Sequence, residues 1–127
     1  MRYTLLLHYP EMTADDLGQD ALDEGMRAFD LYAKELDAAG VLASAEVLQP
    51  SMLTTTVSRA NGELIVQDGP FSSTREQLGG TFVIDVDDLD TAIAWAQKAP
   101  SIAWGVVEIR PTATRFVDHA WVGSPSV

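Results

Sequence analysis

From Arg2 to Tyr9 large apolar or aromatic side chains stand at every second position, Tyr3, Leu5, Leu7 and Tyr9, with Thr4, Leu6 and His8 between them. A period of two predicts a strand, and Leu6 on the second face predicts burial on both sides. Pro10 ends it, and a polar, acidic connection runs to Gln19. Over Asp20 to Ala39 the period changes. Leu22, Met26, Phe29, Ala33 and Leu36 recur at alternating spacings of four and three, while Asp23, Arg27, Asp30, Lys34 and Asp37 fall elsewhere around the wheel. That is the pattern of an amphipathic helix. Asp20 is placed to cap its first turn, Asp23 to add negative charge there, and Gly40 to take the left-handed conformation after its end.

Val41 to Leu48 is a mostly apolar run that predicts a second strand, stopped by Gln49 and Pro50. Leu53 to Arg59 alternates Leu53, Thr55 and Val57 with Thr54, Thr56 and Ser58, a strand with one polar face. Asn61-Gly62 is a hairpin signal, and Glu63 to Gln67 is the returning arm. Thr81 to Val86 predicts another strand, with Phe82, Ile84 and Val86 facing one way. Asp87 then caps a helix whose stripe is Leu89, Ala92, Ile93 and Ala96, with Asp90 in its first turn, Lys98 near its end and Pro100 at its exit. Trp104 to Arg110 forms the last strand.

Two halves, each strand, helix, strand, predict an α+β domain of ferredoxin-like type, βαββαβ with an extra hairpin and both helices on one face of an antiparallel sheet. The other face is left bare, and in so small a chain it requires a second subunit. A homodimer with its sheets packed together is expected. Residues 1–111 form the domain. Residues 112–127 form a tail whose Phe116, Val117, Trp121 and Val122 predict docking on its own or the partner subunit, with a frayed Ser-Pro end.

Composition narrows the function classes. A formal net charge of −11, from 19 acidic and 8 basic residues, repels a phosphate backbone and argues against direct nucleic-acid binding. The chain has no cysteine, which excludes disulfides, thiolate nucleophiles and cysteine-ligated zinc. No apolar stretch approaches the roughly 20 residues of a spanning helix, and the N-terminal run lacks the marks of a signal peptide, so a cytoplasmic protein is expected. The two histidines lie far apart without metal-ligand spacing, and no cofactor motif is present, so neither a metal nor a cofactor is expected.

The segments "YTLLLHY", "GVLASAEVLQP", "QDGPFSSTREQLGGTFVIDVDDLDTAIAWA" and "VVEIRP" together resemble the YCII-related proteins of the DGPF subgroup over roughly residues 1–111. The resemblance implies a dimeric α+β barrel. It also implies, for better studied relatives, a histidine in or near the first helix with an acidic partner. Asp20 to Ala39 contains no histidine, so that dyad does not carry over. DGPF proteins are often encoded beside sigma factors of the extracytoplasmic-function class, which implies a regulatory setting.

The candidate site centres on the loop Val66 to Gly80. Asp68-Gly69-Pro70-Phe71 reads structurally as a stiff turn in which Asp68 caps amides and Phe71 anchors the loop, and functionally as a carboxylate at the mouth of a cavity. Ser73 with Glu76, or Thr74 with Gln77, has capping-box spacing, which predicts one helical turn over Ser73 to Leu78 ended by Gly79 and Gly80. Its free amides, with Ser73, Thr74 and Arg75, could instead receive an anion. Imidazole is the side chain that changes charge near neutral pH, and His8 with Asp68 is the candidate acid-base pair, Asp85 and Glu108 being the alternative carboxylates. Two functions follow: a dimer binding a small polar molecule between sheet and loop, with or without His/Asp chemistry, or a non-catalytic interaction or sensor module.

Overall fold

The computed structural model describes residues 1–123. Its elements are β1 (Arg2–Pro10), α1 (Ala14–Leu17), α2 (Gln19–Ala38), β2 (Leu42–Val47), β3 (Thr55–Ala60), β4 (Glu63–Asp68), β5 (Glu76–Asp85), α3 (Leu89–Ala96), β6 (Val106–Pro111), β7 (Thr114–Val117) and β8 (Ala120–Gly123). This is an α+β fold. A four-stranded sheet runs in the order β2-β5-β1-β6 with every neighbouring pair antiparallel. That order arises because β1-α2-β2 and β5-α3-β6 interleave, each unit skipping over one strand of the other. The β3–β4 and β7–β8 hairpins stand apart as two-stranded sheets.

Alternation along the strands decides the core. Tyr3, Leu5 and Leu7 of β1 and Phe82 and Ile84 of β5 are buried beneath the helices, where they meet Tyr32 and Leu36 of α2 and Ala92 and Ala96 of α3. Phe82 stacks on Phe29 at 6.4 Å between centroids and meets Tyr32 edge-on at 5.1 Å. The Tyr32 hydroxyl donates to the Trp95 carbonyl at 2.8 Å, which ties α2 to α3. On the opposite face Thr4, Leu6 and His8 are only half-buried, and Val106 is exposed. Among the described residues no helix covers that face.

Several local expectations are corrected. The connection before the long helix contains α1, closed by a capping box between Thr13 and Asp16. Gly18, at φ +87°, then starts α2, so Asp20 sits in its first turn and does not cap it. Asp88, not Asp87, caps α3, its carboxylate accepting from the Thr91 amide at 2.8 Å. Met26 of the predicted stripe is exposed, and Tyr32 takes the buried position instead. The Asn61-Gly62 turn is as expected, with φ of 52° and 81°. The tail forms the β7–β8 hairpin, with Phe116 and Trp121 packed edge-on at 5.3 Å and both exposed. The expected frayed end lies outside the described residues.

The largest correction is at Ser73 to Leu78, where no helical turn forms. Residues from Glu76 onward are extended, because Gln77 pairs with Tyr9 and Glu76 with Pro10. The Gln77 amide donates instead to the Ser72 and Thr74 carbonyls at 3.0 and 2.9 Å, which folds the preceding bend. Gly79 and Gly80 therefore lie inside β5. Leu7 pairs with Gly80 and His8 with Leu78, so Gly79 is the extra residue of a bulge. A Cβ on Gly79 would fall within the Tyr9 ring, and one on Gly80 would come 2.9 Å from the Glu46 carbonyl. The double glycine lets an aromatic ring lie flat on one strand and a second strand approach on the other side.

Two predictions test this packing. Burial, then the charge of Glu35, pushes the Tyr32 phenol up to about 12. The unfolded chain ionises first, near the ordinary tyrosine value of about 10. Tyr32's contribution is therefore complete below about pH 10 and declines as pH rises to about 12. Urea titrations of Tyr32→Phe across that window will show a shallower alkaline loss, together with about 1 kcal/mol lost at neutral pH from the missing hydrogen bond. Gly79→Ala will cost about 1–3 kcal/mol by forcing Tyr9 from its seat, and the cost will largely vanish in a Tyr9→Ala background, as a double-mutant cycle measures.

Candidate functional site

His8 lies on the open face of β1, where Leu6 pairs with Glu108 of β6. Its Nε2 is 2.6 Å from Glu108 Oε1 without the alignment of a hydrogen bond, and its side chain keeps 25% of its exposure. Asp85, the other alternative, is already engaged: Arg2 grips it with Nε and Nη2 at 2.9 and 2.7 Å, which holds the Asp85 carboxyl below its ordinary range. Arg2 and Asp85 line a cleft of about 320 Å³ with Thr112 and Arg115.

Asp68, Ser73, Thr74 and Arg75 lie at the end of β4 and on the bend between β4 and β5. Asp68 ends β4 opposite Thr55 and is exposed. The turn after it is fixed by backbone, since the Gly69 amide donates to Thr54 O at 2.8 Å and Thr56 Oγ1 donates to Gly69 O at 2.7 Å. Gly69 needs its freedom, at φ +107°. Phe71 anchors nothing in this chain, being 92% exposed. Ser73 and Arg75 are exposed, and Thr74 Oγ1 donates to Glu76 O at 2.8 Å. Among the described residues no hydrogen bond or ion pair joins any of these four to His8, and no group of three or more metal-ligating side chains converges.

The larger concavity is elsewhere. A cleft of about 770 Å³ opens between α2 and the sheet. Leu22, Met26 and Phe29 of α2 form one wall, with Leu17 of α1 beside them. Ala45, Val47 and Phe82 form the floor, and Tyr9 and Trp104 close one end. Gly25 faces the space, and a Cβ there would meet nothing within 4 Å. The charged residues along it are Asp30, bound to Lys34 at 2.7 Å, and Glu46, whose pairing with Thr81 puts its side chain on the other face of the sheet.

Tyr9 is the polar group built into this cleft. Its ring meets Trp104 edge-on at 5.2 Å and lies 6.5 Å from Phe29, while Gly79 and Gly105 leave room on the strand side. Burial, then the charge of Glu11, pushes its phenol above the ordinary value. Alternation puts Tyr9 with Leu7 on the helix side and His8 on the other, so the cleft and the His8–Glu108 pair lie on opposite sides of one sheet. Sequence reasoning missed the cleft because its residues read as core. The available signal was Gly25, a glycine in mid-helix on the apolar side, where packing favours a larger residue.

Comparison with known proteins places the chain in a family. The model of the YCII-related domain matches residues 1–114. An uncharacterised protein of Rhizobium meliloti (strain 1021) is 31% identical over 115 residues, covering 89% of this chain and 93% of that relative. With the family's model spanning both interleaved halves of the sheet, the chain belongs to the YCII-related domain family.

Proposed function

We propose that this protein binds a small, largely apolar molecule in the cleft between α2 and the sheet. The observation that carries the reading is an open space of about 770 Å³ whose walls are aliphatic and aromatic, within the size range of small-molecule sites. A helix that merely covered a core would fill that space, yet Gly25 leaves it open. The expected polar ligand beside the Asp68 loop has less support, since Asp68, Ser73, Thr74 and Arg75 stand exposed and line neither cleft. The neutral fluorophore N-phenyl-1-naphthylamine will bind saturably and brighten. Gly25→Leu, whose Cβ would meet nothing within 4 Å and whose side chain would extend into the cleft, gains about 0.5–1 kcal/mol of helix propensity and will fold at least as stably while losing that binding. Binding unchanged in Gly25→Leu would refute the cleft.

A second reading concerns the open sheet face, and the 2.6 Å approach of His8 to Glu108 favours it. In the ferredoxin-like dimeric barrel of the DGPF subgroup, to which we assign the chain on Asp68-Gly69-Pro70-Phe71, a second copy covers this face. The pair then sits inside a shared cavity and serves as an acid-base couple. Leu6, Val83 and Val106 on the same face supply apolar area for the contact. Native mass spectrometry at micromolar concentration will record two chains per particle. A monomer would eliminate the barrel reading and leave the cleft reading intact.

A further inference from the structure

We propose that the cleft selects neutral apolar molecules bearing a carbonyl or comparable acceptor, held by the Tyr9 phenol, and that it rejects carboxylates; this rests on the cleft reading above and names its ligand class. Tyr9 is fixed in position, with Trp104 edge-on at 5.2 Å, Phe29 at 6.5 Å, and glycines 79 and 105 beneath its ring. Among the described residues its hydroxyl has no hydrogen-bond partner, and it is not one of the sealed, unpartnered polar atoms. A pre-positioned O–H with an unused bond in an otherwise apolar site is how such sites fix the orientation of a ligand. The phenol stays protonated through the physiological range, so it donates.

Charge sets the rest of the selectivity. Among the described residues no lysine, arginine or histidine lines the cleft; of the two cations of α2, Lys34 is taken by Asp30 at 2.7 Å, and Arg27, which follows Met26, is not part of the lining. Glu11 lies close enough for its charge to act on Tyr9. A carboxylate entering this space would lose its water and find acids instead of a counter-ion. A ketone, aldehyde or ester loses little water and gains the Tyr9 hydrogen bond.

The test is isothermal titration of the full chain with three naphthalenes of one size: 2-acetylnaphthalene, 2-ethylnaphthalene and 2-naphthoate. The ketone will bind about 2–10-fold tighter than the hydrocarbon, the worth of one neutral hydrogen bond, and the carboxylate will not bind over the same concentrations. Tyr9→Phe will equalise ketone and hydrocarbon while leaving the melting temperature in place, since among the described residues the hydroxyl bonds to no group. Equal binding of ketone and hydrocarbon, a ketone preference that survives Tyr9→Phe, or naphthoate binding as tightly as the ketone would each overturn the inference while ethylnaphthalene binding upholds the cleft. Binding of none of the three overturns the cleft reading and this one together.

Discussion

The antiparallel pairing of β1 with β5 governs where the other groups of this molecule can stand. It places Leu5 opposite Phe82 and Tyr3 opposite Ile84, so the inward side chains of two central strands form one apolar surface. Burying that surface is the main favourable contribution to folding, at roughly 1.5–3 kcal/mol for each large side chain removed from water. The helices α2 and α3 must then lie on the same side. The outward side chains, His8 among them, are assigned to the other side by the same pairing, whatever their chemistry.

Much of this was legible in the chain. Period-two alternation at Tyr3, Leu5 and Leu7, and at Phe82, Ile84 and Val86, marks the inner strands because each has one face under the helices. The four-three spacing through Phe29 and Leu36 marks the long helix for the same reason. What escaped was decided by tertiary pairing. Thr74 and Gln77 have capping-box spacing and do interact, but Tyr9 and Pro10 draw residues 76 and 77 into strand pairing, and a ladder of backbone bonds prevails over one side-chain cap. Asp87 and Asp88 are equally good caps by type, and only the actual chain path selects Asp88.

The candidate site was legible to a smaller degree. His8 and Glu108 were both identified, but their closeness depends on the register of β6, which spacing does not reveal. Asp68 drew attention because its neighbours are so unusual. Those neighbours are explained by the turn itself, through Gly69 and its bonds to Thr54 and Thr56. The cleft went unseen because a leucine that lines an open space and one that fills a core are the same letter.

The bulge at Gly79 also bears on how this chain tolerates changes of length. Because Gly79 is an extra residue, positions 76–78 keep the opposite inside-outside parity from positions 80–84. Losing Gly79 would restore regular alternation with Gln77 still inward opposite Tyr9 and Leu78 still outward opposite His8, whereas losing a residue within positions 80–84, where the pairing is regular, would exchange the two sides of one part of the strand. The bulge thus holds one residue of length that costs the strand no exchange of faces. Insertions and deletions can accumulate in the exposed turn before Glu76 without reaching the core, whereas one within positions 80–84 would turn core side chains outward.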